Sequence, residues 1–239
     1  MEDLQGRFGF LSEYTNSALD GAQFYEHEPR YNIAPTQSVL TVTNTGQRQG
    51  ELMRWGLVPF WAKDLKIGAR MINAVGETAA SKPAFRAAFK TRRCLIPANG
   101  FYEWQKSGNR KIPRYFYPRN GEPMAFAGLW ETWNSPEGQI IRSCTILTTL
   151  ANELIQPLHN RMPVILSEET QALWLDPLTE NPKTLEPLLI PAPEGFLTSH
   201  PVAEMVNSVW NQGPECVVQL AEHSGEQTEA ESWDGRLFP

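Results

Sequence analysis

Short apolar segments separated by turn-forming residues recur along the first two thirds of the chain. Segments with the length and side chains of strands are 38–43, 52–55, 112–117, 124–130 and 140–149. The stretches NTGQRQG, RNGEP and NSPEGQ lie between such segments, and their glycine, asparagine and proline residues favour turns. This alternation predicts a single β-rich domain.

Two segments have the pattern of helices. SKPAFRAAFKTRR (81–93) spaces its phenylalanines four residues apart and leads into a strand at 94–97. SEETQALWL (167–175) begins with a serine and two acids, as helices often do. By contrast, residues 222–239 contain five acids, one arginine and few apolar groups, which predicts a disordered tail. We therefore expect the folded domain to be 1–221.

The cysteines and the apolar segments indicate a cytoplasmic protein. Cys94, Cys144 and Cys216 are far apart in the sequence and form no CxxC, so neither a disulfide framework nor a metal site is expected. No apolar run is long enough to cross a bilayer, and MEDLQGRF lacks the basic and apolar character of a signal peptide. We expect no membrane partner and no cofactor.

Positive charge is concentrated in one part of this acidic chain. From Lys82 to Arg119 there are ten basic residues and one acid, Glu103, although the net charge of the chain is −6. Eight aromatic residues are interspersed among them: Phe85, Phe89, Phe101, Tyr102, Trp104, Tyr115, Phe116 and Tyr117. Cationic grooves with stacking rings hold single-stranded nucleic acid, although a run of charge can also be a plain solvated face.

Glu103 stands out within this basic segment. In CLIPANGFYEW it lies between Tyr102 and Trp104, where burial would raise its pKa into a range suited to proton transfer. The alternative is a structural carboxylate paired with an arginine such as Arg7 or Arg161. His159, ahead of an apolar segment in PLHNRMPVIL, is a second candidate, although isolated histidines are often structural.

Seven motifs in a fixed order carry a resemblance to a known family. They are GRF, RYNIAPTQ, RWGLVPFWA, INAVGET, RCLIPANGFYEWQ, HNRMPVIL and VNSVWNQGPEC. Together they resemble the SOS response-associated peptidase family, abasic-site processing proteins that bind single-stranded DNA in DNA damage repair. The resemblance extends from Gly6 to about Val218. It implies an α+β single domain with a β-rich pseudo-barrel core and a few peripheral helices.

The resemblance also implies a covalent reaction. In the family, removal of the initiator methionine exposes a cysteine, whose amine and thiol condense with the aldehyde of an abasic sugar to form a thiazolidine crosslink. Asn73 resembles the residue that positions this terminus, Glu103 the acid beside the amine, and His159 the group that protonates the sugar oxygen. The implied DNA-binding groove contains Arg7, Asn32, Trp55, Trp61 and Arg161.

The chain departs from the family pattern at two positions. Gln5 occupies the place of the cysteine, and a carboxamide is neither an amine nor a thiol, so it cannot form the thiazolidine. Val75 stands where the family often has an arginine that would contact a phosphate.

Three hypotheses follow from the sequence. The first is an abasic-site sensing and processing enzyme, a monomer in the cytoplasm that associates with the nucleoid, whose peptidase and lyase activities depend on the missing cysteine. The second is a pseudoenzyme that binds single-stranded DNA without covalent chemistry. The third is a conventional thiol hydrolase that uses Cys94 and His159.

Overall fold

The structure, a computed structural model, describes residue 4 and residues 7–9, 29–45 and 47–221. Gln5 and the predicted tail at 222–239 lie outside the described residues. No helix in the described ranges is long and apolar enough to cross a membrane.

The described residues form eleven strands in two sheets. The strands are β1 (Ser38–Asn44), β2 (Arg48–Trp55), β3 (Asn73–Val75), β4 (Arg93–Ala98), β5 (Phe101–Ser107), β6 (Arg110–Pro118), β7 (Met124–Asn134), β8 (Ile140–Leu150), β9 (Arg161–Pro163), β10 (Ile165–Leu166) and β11 (Leu197–Pro201). Between residues 47 and 221 the α-helices are α1 (Gly76–Ala79), α2 (Arg86–Thr91), α3 (Glu168–Leu175) and α4 (Pro182–Leu185). Short 3-10 helices lie at Leu65–Arg70, Glu186–Leu188, Glu204–Asn207 and Pro214–Val217.

Five strands close into a barrel. Strand β1 pairs with β2 and β4, β4 pairs with β7, β7 pairs with β8, and β8 returns to β2. Only the closing β2–β8 contact is parallel among these five, and it is short, joining Arg54 with Ser143 and Trp55 with Cys144. Closure removes the unpaired edges that an open sheet would expose. The predicted α+β fold with a β-rich barrel core and few helices is confirmed.

Alternation of side chains along the barrel strands creates two apolar clusters. One cluster contains Met53, Cys94, Phe126, Cys144 and Ile146, which lie on one face of their strands. The alternating residues on the other face form a second cluster with the helices, where Phe89 of α2 contacts Trp174 of α3 edge to face with ring centroids 5.7 Å apart. Each barrel strand is therefore buried on both faces over much of its length.

A second sheet of β5, β6 and β11 packs against the barrel. Phe101 of β5 stacks on Phe116 of β6 at 5.4 Å and contacts Phe126 of the barrel at 5.9 Å. The turn before β5 depends on Gly100, because a Cβ atom there would lie 2.3 Å from the Tyr115 ring. The aromatic residues after Gly100 thus fix how the second sheet meets the barrel.

Most of the predicted elements are present, with different bounds. Strands β1 and β2 extend into the predicted loop NTGQRQG, and helix α2 covers only Arg86–Thr91 of the predicted 81–93. Strands β5 and β11 were not predicted as strands. Strand β11 pairs with β6, a contact between residues far apart in the sequence that local periodicity does not contain, whereas β5 joins β6 in a hairpin.

Substituting Gly128, on the face of β7 that packs in the cluster with Cys94, tests this packing. A Cβ at Gly128 would lie 2.8 Å from the Cys94 Sγ atom of its partner strand, so Gly128→Ala should cost about 1–3 kcal/mol of unfolding free energy. Urea denaturation should show that Cys94→Ala recovers part of this loss in the double variant. Strictly additive effects of the two substitutions would contradict the packing.

Candidate active site and nucleic-acid interface

Glu103 lies on the inward side of β5. Strand alternation places it on the same face as Phe101, which contacts the barrel, and on the opposite face from Tyr102 and Trp104. Tyr102 donates a hydrogen bond to the Tyr31 carbonyl at 2.6 Å, and the Trp104 indole donates to Asn207 Oδ1 at 2.8 Å. The aromatic neighbours of Glu103 in the sequence are therefore not the groups that bury it.

Burial raises the pKa of Glu103 above its ordinary value, as the sequence predicts. The positive charge of His159 and a backbone hydrogen bond from Trp104 oppose this increase in the pKa. Arg7 and Arg161, the arginines considered as structural partners, form ion pairs with other acids. A carboxylic acid with a raised pKa near an imidazole is a candidate for proton transfer.

His159 is anchored by one of its two ring nitrogens. Its Nδ1 atom lies 3.1 Å from the Arg161 amide nitrogen and 3.0 Å from the Arg161 carbonyl oxygen. An unprotonated Nδ1 can accept from the amide, and a protonated Nδ1 can donate to the carbonyl, so this anchor persists in either protonation state. His159 itself is exposed, which leaves the ring accessible from solvent.

The Arg161 side chain extends across the barrel strand β8 to Glu77 of α1. Its guanidinium donates to both carboxylate oxygens of Glu77, at 2.8 and 2.6 Å, and to the Thr148 carbonyl at 2.5 Å. This fork-shaped contact is the geometry that arginine makes best. Hydrogen bonding from Arg161 lowers the pKa of Glu77. Nothing in the sequence indicated that Arg161 would contact Glu77 and the Thr148 carbonyl.

Asn73 begins β3 on the other edge of β8. Strand β3 runs parallel to β8, with Asn73 beside Ile146 and Val75 beside Thr148, while β9 lies beside residues 148–150. Asn73 and Arg161 therefore lie on strands that flank the same strand, β8. Asn73 and Val75 are both exposed, so a side chain at either position can reach a ligand.

The two predicted tryptophans differ in exposure. Trp55 is half-buried in the barrel cluster and its indole nitrogen donates to the Ile72 carbonyl at 2.9 Å, one residue before Asn73. Trp61 is 49% exposed and follows Phe60, which is 62% exposed. Each exposed ring is accessible to a stacking base. Sequence reasoning missed Phe60, although it lies in the same motif as Trp61.

Arg7 and Asn32 hold parts of the protein together. Arg7 pairs with Glu122, and its Nη2 lies 3.6 Å from the Glu168 carboxylate at the start of α3. Asn32 is buried, and its amide nitrogen lies within 3.0–3.1 Å of the carbonyls of Val206, Ser208 and Asn211. A direct contact of either side chain with DNA remains a prediction.

The basic segment is not one continuous patch. Arg93 is buried and donates to the carbonyls of Phe89, Lys90, Trp174 and Asp176, and Arg92 pairs with Glu131. Three of the aromatic residues, Phe85, Phe89 and Phe116, are also buried in the core. The exposed cations that remain are divided between α2 with its flanks and the β5–β6 hairpin.

The cysteines do not form a reactive site. Cys94 and Cys144 are fully buried, and burial raises the pKa of both thiols. A buried, protonated thiol is a poor nucleophile, so the hypothesis of a thiol hydrolase based on Cys94 and His159 is wrong. No group of three or more histidine, cysteine or acidic side chains that could hold a metal occurs within the ranges that the structure describes.

Glu103 of β5, His159 ahead of β9 and Asn73 of β3 come from three separate segments of the described chain. Comparison with known proteins identifies the class of protein. The family model of the SOS response associated peptidase (SRAP) matches residues 3–209. The chain belongs to this family.

Similar proteins extend over almost the whole chain. It is 44% identical over 220 residues to the abasic site processing protein YoqW of Bacillus subtilis (strain 168), which covers 89% of this chain and 98% of YoqW. It is 42% identical over 218 residues to YoaM of the same organism, also an abasic site processing protein, with 88% and 96% coverage. A crystal structure of a protein from Bacteroides thetaiotaomicron has a TM-score of 0.79 and 25% identity, covering 91% of this chain and 95% of that protein.

The pKa of Glu103 gives a prediction for stability. Because the pKa is higher in the folded state, the folded protein binds this proton more tightly, and the resulting stability is lost as pH rises through the folded pKa. Glu103→Gln should therefore raise the melting temperature at about pH 8, and the difference should vanish below about pH 4. Calorimetry over this range measures it. A variant less stable than the wild type at every pH would refute the raised pKa.

Proposed function

We propose that the protein recognises and processes abasic sites in single-stranded DNA, acting as a monomer, with Asn73, Glu103 and His159 at the damaged sugar. The observation that carries the proposal is the pairing of a half-buried acid with a raised pKa and an anchored, exposed histidine. The names of YoqW and YoaM support abasic sites as the substrate class.

The chemistry would proceed through an imine. A primary amine attacks the C1 aldehyde of the ring-opened sugar, and the resulting carbinolamine loses its hydroxyl as water. Glu103 in its acid form donates the proton to that hydroxyl, and the nitrogen lone pair forms the C=N bond as water leaves. His159 exchanges the proton of the sugar O4 atom as the ring opens. Asn73 would orient the amine through its carboxamide oxygen.

The surfaces around Glu103 and His159 would hold the DNA strand. Phe60 and Trp61 supply exposed rings on which bases can stack. Arg161 lies two residues after His159 in the sequence and would contact a phosphate, although Glu77 occupies its guanidinium in the absence of DNA. A phosphate entering the site would have to displace the Glu77 carboxylate or share the guanidinium with it.

Substitutions in the Glu77–Arg161 pair test the DNA-binding role. Removing the carboxylate charge frees the guanidinium for a phosphate, so Glu77→Gln should tighten binding to single-stranded DNA, by about threefold to tenfold. Arg161→Lys should weaken binding, because an ammonium group cannot make the forked contact. Fluorescence anisotropy at several salt concentrations measures both. Weaker binding by Glu77→Gln would show that Arg161 serves only the fold.

The covalent step is the sharpest test of the proposed function. Gln5 supplies no thiol, so the chain should form no heat-stable crosslink with abasic DNA, and a trapped imine should appear only after borohydride reduction. A variant in which Met-Cys replaces residues 1–5 should form the unreduced crosslink. Glu103→Gln in that variant should slow crosslinking by about 100-fold or more, because general acid catalysis is lost.

Denaturing gels with and without borohydride distinguish the outcomes. A strong unreduced crosslink from the unaltered chain would mean that another nucleophile acts. No crosslink from the Met-Cys variant, although it binds DNA, would favour the non-covalent pseudoenzyme.

A further inference from the structure

Trp210 is the most exposed large aromatic side chain among the described residues. Its exposed fraction is 89%, and Val209 beside it is 43% exposed. Tryptophan is highly buried on average, so an indole almost entirely in water is an uncommon feature and offers a large ring surface to a ligand. The residue belongs to the motif VNSVWNQGPEC, to which the proposed chemistry assigns no role.

The turn that carries Trp210 is fastened to the domain at several points. The Asn32 amide contacts the carbonyls of Val206, Ser208 and Asn211, on both sides of the indole. The Asn211 side chain donates to the Met205 carbonyl at 2.8 Å, and its backbone amide donates to the Ser208 carbonyl at 3.1 Å. These hydrogen bonds hold the turn that carries the indole in one conformation. Less conformational entropy would therefore be lost when a ligand stacks on Trp210.

Cations of the β5–β6 hairpin lie beside this turn. Arg110, Lys111, Asn207 and Glu204 line an open groove of about 490 Å³. Lys111 is paired across the hairpin with Lys106, so two ammonium groups are neighbours on this sheet. Asn207 also accepts the hydrogen bond from the Trp104 indole, which joins the turn to the strand that carries Glu103. Lys106, Arg110 and Lys111 carry three positive charges against the one negative charge of Glu204, so this surface favours an anionic ligand.

We propose that Trp210, Lys106, Arg110 and Lys111 form a second contact surface for single-stranded nucleic acid, in which an unpaired base stacks on Trp210 and the cations bind the adjoining phosphates. The inference rests on the proposed function, since it extends the path of the same strand. Trp104 follows Glu103 in β5 and lies on the opposite face of the sheet. A DNA strand that leaves the candidate active site can therefore pass over β5 to reach this second contact surface. Stacking carries no sequence code, which suits an enzyme directed by damage and not by sequence.

The test is equilibrium binding to labelled oligonucleotides without an abasic site. Trp210→Ala should weaken binding to a single strand of about 20 nucleotides by roughly tenfold, which corresponds to the binding free energy of one base stack. Duplex binding should be unchanged. Trp210→Phe should retain most of the affinity because it keeps a ring. Leu178→Ala is the matched control, because Leu178 is also 89% exposed and lies in a different segment.

The cations have a matched control as well. Lys111→Ala should weaken binding and reduce the slope of log affinity against log salt by about 0.7, the contribution of one phosphate contact to a single strand. Lys183→Ala, at an exposed lysine of α4, should change neither.

Two failures are distinguishable. If the wild-type protein binds no single-stranded DNA, the proposed function fails. If it binds and Trp210→Ala binds equally well, or no worse than Leu178→Ala, only the second surface is refuted.

Discussion

Strand β8 is the element on which the fold and the candidate site both depend. Its residues pair with β7 and β9 as antiparallel neighbours and with β2 and β3 as parallel neighbours. One eleven-residue segment therefore closes the barrel and also carries the strands that begin with Asn73 and Arg161. Because β8 is buried over most of its length, a shift of its register would turn its apolar residues to the wrong face and displace both site residues.

The position of Glu103 has a physical explanation in the alternation of β5. Tyr102 and Trp104 hold the outer face of the second sheet through their hydrogen bonds to Tyr31 and Asn207, while Phe101 attaches the inner face to the barrel. Because Glu103 lies between Tyr102 and Trp104 in the sequence, its carboxylate must face inward. There burial raises its pKa, and the charge of His159 limits that increase. Residues that fix the sheet thus create the buried environment that raises the pKa of Glu103.

Ion pairs and hydrogen bonds of arginines determine which positive charges are available to a ligand. Arg93 donates hydrogen bonds to the backbone carbonyls of Trp174 and Asp176. Arg92 pairs with Glu131, and Arg161 pairs with Glu77. The sequence shows all of these as positive charge, and the fold removes several from the surface. Lys106, Arg110 and Lys111 of the β5–β6 hairpin remain exposed.

The sequence by itself determined the five barrel strands, helix α3, the family and the identity of Glu103, His159 and Asn73 as candidates, because these depend on local periodicity and motif order. It also identified Gln5 in the place of the expected cysteine, since that depends only on residue type. Only the tertiary structure decided that Cys94 is buried, that Glu77 holds Arg161, and that Asn32 fastens the turn carrying Trp210. Those facts arise from contacts between residues far apart in the chain, whose geometry is set when the barrel closes and not by any local pattern.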